Sequence, residues 1–206
     1  MDADLHAFVR WLGAASEGAR VIEAPGVVAA VVPAAPERSL LNSVVYDDAA
    51  ALEAALPELA ATYAEAGCAW TVWVPEGDRD AAELLERAGH AFDGEPAAMV
   101  CDLDELDAPE AGDLDWGEGG DLATLGAIND LAYGYAGAHF RAALAREHPG
   151  VRVWLAHREG RPVCGLATLE AGGSAGVYWV ATEPHARGQR LASRLLGQAL
   201  LAARES

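Results

Sequence analysis

The sequence predicts an α/β protein of the α+β type, with a mixed, mostly antiparallel sheet flanked by helices. Three observations carry this. Three apolar runs of strand length follow one another late in the chain, Val151 to Ala156, Val163 to Leu169 and Gly176 to Thr182, separated by the turn residues Gly160-Arg161 and Ala171 to Ser174. Helical stripes lie on both sides of that run. The first half of the chain repeats the outline, with short apolar strands preceding long helices.

In chain order, Asp4 to Ala15 reads as a helix with Leu5, Phe8, Val9 and Leu12 on one stripe. Val21 to Glu23 and Val27 to Val32 flank Pro25-Gly26, a hairpin or bent pair of strands, and Ser43 to Tyr46 is a further strand. Ala49 to Ala66 is an alanine-rich helix stopped by Gly67. Trp70 to Val74 reads as a strand, Asp78 to Ala88 as a helix ended by Gly89, and a last strand is expected near Ala97 to Leu103. The acidic stretch with Pro109 and Gly112 reads as a linker. This divides the chain into a lobe at 1–106, a linker at 107–120 and a second part at 121–206. The second part opens with a helix from Asp121 to Leu131, carrying Leu122, Leu125, Ile128 and Leu131, and another from Ala138 to Arg146. It closes with a helix from Arg187 to Ala203, with Leu191, Leu195, Ala199 and Leu200 facing inward.

A formal net charge of −18 argues against a general nucleic-acid partner, because a phosphate backbone would be repelled. The acidity serves solubility or draws in cationic substrates; both readings stand. No apolar run approaches the roughly 20 residues that cross a bilayer. Met1-Asp2-Ala3-Asp4 lacks the basic start and apolar core of a signal peptide, so a cytoplasmic protein without membrane partners is expected. Cys68, Cys101 and Cys164 are widely spaced, and neither they nor the histidines show a metal-binding pattern.

An anionic ligand would need a local positive device, and one occurs between Val177 and Ala192. There an apolar strand meets Glu183-Pro184 and then Arg187-Gly188-Gln189-Arg190 at a helix start. Helix N-termini leave amides unpaired and carry partial positive charge, which suits phosphate. This stretch resembles the acyl-CoA-binding motif of the GNAT acetyltransferase superfamily: Arg or Gln, two free positions, Gly, one free position, then Gly or Ala. Arg187 and Ala192 occupy its ends, and Arg190 stands where the family usually has Gly. The element order from about Asp113 onward, two helices, three antiparallel strands and the motif helix, resembles the superfamily as well.

The resemblance implies acetyl-CoA as cosubstrate and acetyl transfer to an amine of a small molecule or peptide by direct attack. It implies that the backbone of Val180, Ala181 and Thr182 pairs with the pantetheine arm. Arg187, Gly188, Gln189, Arg190, Leu191 and Ala192 would cradle the pyrophosphate, with Arg187 as a fixed cation. Because a helix start does not itself require positive φ, Arg190 is expected to keep an ordinary backbone there. Glu170 and Glu183, at strand ends, are the candidate proton acceptors, each equally readable as a solvated carboxylate; His185 reads more simply as a turn residue. Tyr178 and Trp179 should face opposite sides of their strand. Tyr133 and Tyr135, with Gly134, Ala136 and Gly137, form either a lid over the acceptor or plain packing of a turn. Cys164 lies mid-strand without a His partner, so no acyl-enzyme is expected.

The first lobe resembles the same superfamily more weakly, and its turn at Asp47-Asp48 would repel a pyrophosphate, so it reads as a degenerate, scaffolding copy. The superfamily continues past the motif helix with further strands. The sequence here ends at Ser206, leaving open a truncation, completion of the sheet by the first lobe, or an incomplete site. The rival reading is a non-catalytic acyl-CoA-binding or protein-interaction module, and a homodimer is compatible with either.

Overall fold

The computed structural model describes residues 2–135, 137 and 139–205. Ala136 of the aromatic loop and Ala138, the expected start of the following helix, lie outside the described residues, as do Met1 and Ser206. Two compact units emerge: Phe8–Met99, and Val100–Ser206 together with Met1–Ala7.

The Phe8–Met99 unit is built on a four-stranded sheet in the order β1-β2-β3-β4, comprising β1 (Arg20–Ala24), β2 (Val27–Val31), β3 (Ser43–Tyr46) and β4 (Thr71–Val72). Helix α1 (Asp2–Leu12) precedes them. Ala24 faces Val27 across the Pro25-Gly26 turn, where Gly26 takes φ 72°. Helix α2 (Ala49–Ala66) follows β3 and returns the chain to β4, parallel to β3. Leu52, Leu56, Leu59 and Tyr63 of α2 bury against Val27, Ala29, Val31 and Val44. Burial of each such leucine stabilises the unit by about 2 kcal/mol. Asp48 caps α2 by accepting the Ala51 amide at 2.8 Å, and α3 (Arg79–Arg87) is capped likewise by Asp78. The strand expected at Trp70 to Val74 contracts to β4. The strand expected near Ala97 to Leu103 does not form: residues 91–102 are exposed and irregular, with Met99 94% accessible. Short apolar content there is matched by no neighbouring ladder, and an unpaired strand does not persist.

The second unit holds a four-stranded antiparallel sheet in the order β5-β6-β7-β8: β5 (Asp115–Glu118), β6 (Val151–Arg158), β7 (Arg161–Ala171) and β8 (Ser174–Thr182). Strand β5 lies inside the expected linker. Trp116 pairs with Ala156 and reaches the core, while Pro109 packs on Gly197 of helix α6 (Leu191–Glu205). Arg194 fixes the same stretch, meeting Asp113 Oδ1 at 2.8 Å and donating to the Ala111 carbonyl. This hydrogen bond holds the Asp113 carboxyl below the usual carboxylate range. The acidic composition hid the strand because Trp116 is its one large apolar residue, with Leu114 packed on the core just before it.

Helices α4 (Leu122–Tyr133) and α5 (His139–Ala143) connect β5 to β6. Asp121 caps α4 through the Thr124 amide and hydroxyl, both at 2.7 Å. The inward face of α4 is Leu122, Leu125, Ile128 and the polar pair Asn129 and Asp130, while Leu131 is 57% exposed, contrary to the expected stripe. Leu191, Leu195 and Ala199 of α6 close over Trp154, Cys164 and Leu166. Among the described residues no helix is long and apolar enough to cross a membrane.

Candidate functional site

Strand β8 ends the sheet order, so only its β7 side carries ladder hydrogen bonds within that sheet. Its register is interrupted: Ala167 faces Tyr178, but Gly165 faces Ala181, which puts one extra residue into β8. That is a β-bulge, and Trp179 takes φ 56° within it. A left-handed tryptophan is strained and must be held by its surroundings. Asn129, fully buried on α4, does so by donating Nδ2 to the Trp179 carbonyl at 3.1 Å and to the Leu125 carbonyl at 3.0 Å. The strict alternation expected of Tyr178 and Trp179 therefore fails at the bulge. Tyr178 donates its hydroxyl to Asp4 Oδ2 at 2.6 Å, and burial with this carboxylate raises its pKa far above the ordinary phenol.

Past Thr182 the chain makes a short 3-10 turn (Pro184–Ala186), and α6 begins only at Leu191, not at Arg187 as the sequence suggested. Two left-handed residues delay it, Gly188 at φ 78° and Arg190 at φ 56°. The expectation of an ordinary backbone at Arg190 is thus corrected: the position where the family has Gly does use the conformation glycine favours. The Arg190 carbonyl accepts the Arg194 amide at 3.1 Å, so Arg190 is the N-cap residue of α6. A guanidinium has no acceptor atom. Among the described residues no side chain accepts from the amides of Gly188 to Ser193, in contrast to α2, α3 and α4. Left-handed residues either side of Gln189 curl the backbone, and consecutive free amides at a helix start form a concavity that favours an anion. The donor set therefore fits a pyrophosphate.

The other candidates fall in different places. Arg187 is exposed, but its guanidinium donates Nε to the Thr182 carbonyl at 3.1 Å and Nη2 to the Ala132 carbonyl at 2.5 Å. It is thus tied to backbone rather than standing as a free cation. Gln189 accepts from Arg158. Val180 is half-exposed at the bulge, Ala181 is buried and Thr182 donates its hydroxyl to Cys164 Sγ at 3.2 Å. Burial pushes the Cys164 thiol up, keeping it protonated. Leu191, the first residue of α6, is buried and Ala192 half-buried, so these two offer amides rather than side chains.

Glu183 is buried, with His185 Nδ1 3.3 Å from its carboxylate, and it lines a cleft of about 440 Å³ with Thr124, Ile128, Arg141 and Arg161. Glu170 lies elsewhere. It faces Ala175 at the turn end of the β7–β8 hairpin, whereas Thr182 faces Cys164 at the open end. At about 3.3 Å per residue these ends are roughly 20 Å apart, so the two carboxylates do not share a site. Arg152 sits 3.6 Å from both Glu170 and Glu118.

Tyr133 and Tyr135 do come together with β8. Their rings stack at 6.0 Å, Tyr135 stacks on Phe140 at 5.8 Å, and Phe140 meets Trp179 edge-on at 5.0 Å. One aromatic surface thus runs from the α4 terminus to the bulge. Sequence reasoning missed Asn129 and Arg158 as supports of this region. Asn129 was within reach, since it falls four and seven residues after Leu125 and Leu122 on the buried stripe of α4.

No protein-family model and no curated protein matches this sequence. Among solved structures, the chain is similar to a GCN5-related N-acetyltransferase from Kribbella flavida, with a TM-score of 0.65 and 21% identity over 98% of this chain and 81% of that one. It is also similar to a conserved protein of unknown function from Staphylococcus epidermidis, with a TM-score of 0.53 and 10% identity over 88% of this chain and 78% of that one. The fold of this chain is GNAT-like, a mixed α/β architecture with antiparallel sheets flanked by helices.

Proposed function

We propose that this protein is an N-acetyltransferase that moves an acetyl group from acetyl-CoA to an amine of a small molecule or peptide by direct attack. The observation that carries the reading is the pairing of a bulged terminal strand with an uncapped, arginine-bearing helix start a few residues later. The amides from Gly188 to Ala192, with the Arg190 side chain, would hold the pyrophosphate. The free side of β8 at Val180 to Thr182 would take the pantetheine arm by main-chain hydrogen bonds. The cosubstrate supplies an activated thioester; the amine nitrogen, once its ammonium has given up one proton, bonds to the carbonyl carbon, the C–S bond breaks, and the leaving thiolate takes the further proton that the nitrogen sheds as the amide forms.

Glu183 is the better candidate to accept the proton of the attacking ammonium, because it alone of the two carboxylates lies by the motif loop and opens on a cleft. Tyr133 and Tyr135 would form part of the acceptor wall. The bound thiol of Cys164 supports direct transfer over an acyl-enzyme. The acidic surface favours a cationic amine and disfavours nucleic acid, and we place the protein in the cytoplasm without a membrane partner. The first lobe serves as a degenerate, scaffolding copy. A homodimer is compatible with this reading, and a solution mass tests it.

Calorimetric titration with acetyl-CoA tests the reading, followed by release of free thiol with a panel of diamines, aminoglycosides and peptides. Micromolar binding and turnover, with turnover lost in Glu183→Gln while binding persists, is the expected outcome. An intact chain that takes up no acetyl-CoA would sink the enzyme and leave a protein-interaction module.

A further inference from the structure

We infer that the Arg187 side chain is a clamp for the acceptor side of the site and not a ligand of the cosubstrate; the inference rests on reading this region as the transfer site. Helix α4 ends in a Schellman motif: Gly134, at φ 72°, donates to Leu131, and Tyr135 donates to Asp130 at 2.8 Å. That motif satisfies the carbonyls of Asp130 and Leu131 and, among the described residues, leaves Ala132, the last full helical residue before Tyr133, without a local donor. Arg187 supplies it, at 2.5 Å, and anchors itself to the end of β8 through Thr182. A cation at a helix C-terminus is also favoured by the helix dipole.

The consequence is mechanical. Tyr133 and Tyr135 bracket the clamped turn, and their rings stack on Phe140, which in turn meets Trp179 at the bulge. Arg187 therefore joins the aromatic wall to the strand that presents the reacting group. One edge of its guanidinium, Nε with Nη2, is already spent on two carbonyls and cannot grip a phosphate bidentately. The arginine at the head of the motif thus sets the position of the acceptor wall, and the amides after it hold the anion.

Amide hydrogen exchange at Gly134 and Tyr135, read in the full chain, tests this. Arg187→Ala is expected to speed both by about tenfold or more, since local opening there no longer breaks a charged contact. Arg187→Lys, which reaches one carbonyl at most, should restore part of the protection. The Cys68 amide, bonded to Tyr63 in the matching cap of α2, should stay unchanged and report an intact fold. If Arg187→Ala loosens Cys68 as well, the lysine variant decides by the same two amides. Unchanged exchange at Gly134 and Tyr135 in these variants overturns the clamp. So does a tenfold or greater loss of acetyl-CoA affinity, by calorimetry, in a variant whose two amides remain protected. Should the intact chain bind no acetyl-CoA, the proposed activity fails, while the exchange result still decides the clamp.

Discussion

The turn between β3 and α2 and the turn between β8 and α6 solve the same problem in opposite ways. Each takes an apolar strand into a long helix. In the first, Asp47 and Asp48 suffice, and the Asp48 carboxylate closes the helix start on the Ala51 amide. In the second, residues 183–190 intervene, two of them left-handed, and an arginine stands at the N-cap. A carboxylate cap satisfies the orphan amides internally and repels an anion. An arginine cap leaves those amides free and adds a positive charge. The difference between a structural and a ligand-ready helix start is therefore concentrated in one residue and the backbone that carries it.

That residue can be exchanged. Arg190→Asp should convert the second turn into the first kind: aspartate tolerates the left-handed region better than most residues and can accept from the first-turn amides. The chain should melt no lower than the parent, while acetyl-CoA affinity falls about 100-fold or more, since each tenfold is about 1.4 kcal/mol and both charge and free amides are lost. Affinity within threefold of the parent, measured by calorimetry, would mean that the helix start does not hold the anion. Asn129 is the next lever, because it props the bulge that the first unit lacks. Asn129→Ala should cost about 2 kcal/mol in urea unfolding, the usual penalty for stripping a buried hydrogen-bonding partner. The loss should be accompanied by faster exchange around Trp179; a change below 0.5 kcal/mol, on the order of a surface substitution, would leave the bulge self-sustaining.

Much of this contrast was legible in the sequence, and the exceptions are instructive. The long runs of β6, β7 and β8 and the helix-ending glycines Gly67 and Gly89 announce themselves through period and turn chemistry. The motif loop was located by its arginine and glycine. Its conformation was not, because nothing local tells an arginine that it must adopt φ 56°; the tertiary closure of α6 on β6 and β7 imposes that. Strand β5 was hidden for a related reason, as its pairing partner lies some forty residues later and its own residues are acidic. Conversely, the run near Ala97 to Leu103 looked like a strand and found no partner. Glu170 and Glu183 are both strand-end carboxylates in sequence; only the hairpin register separates them.

The cap of α4 is a carboxylate whose charge depends on pH. Hydrogen bonds from Thr124 lower the pKa of Asp121 beneath its ordinary 3.8. A depressed folded value means that the cap stabilises α4 above the unfolded pKa and is lost as pH falls through the folded one. The contribution should thus be full at neutral pH, begin to fall near pH 4, the ordinary carboxylate range, and disappear only below the depressed folded value. Asp121→Ala should cost about 1 kcal/mol at pH 7, a typical N-cap loss, and less than that relative to the parent at pH 2.5. Equal destabilisation at both pH values would show that packing at this position, and not the charged cap, holds the helix start.

The smallest effect is the most pointed. Arg190→Gly restores the residue that the superfamily motif carries and separates the conformation of the turn from its charge. Relief of a left-handed side chain is worth about 1 kcal/mol, and the added freedom of the unfolded chain takes back about 0.4–1 kcal/mol. The net change should be stabilising by no more than about 0.6 kcal/mol. Acetyl-CoA affinity should fall only a few-fold, because the amides that do most of the holding keep their places. Arg190→Ala, which removes the same charge but keeps the strained φ, should bind similarly and melt lower than the glycine variant. If glycine and alanine melt alike, the left-handed backbone at this position carries no strain, and the delayed start of α6 must be set by Gly188 alone.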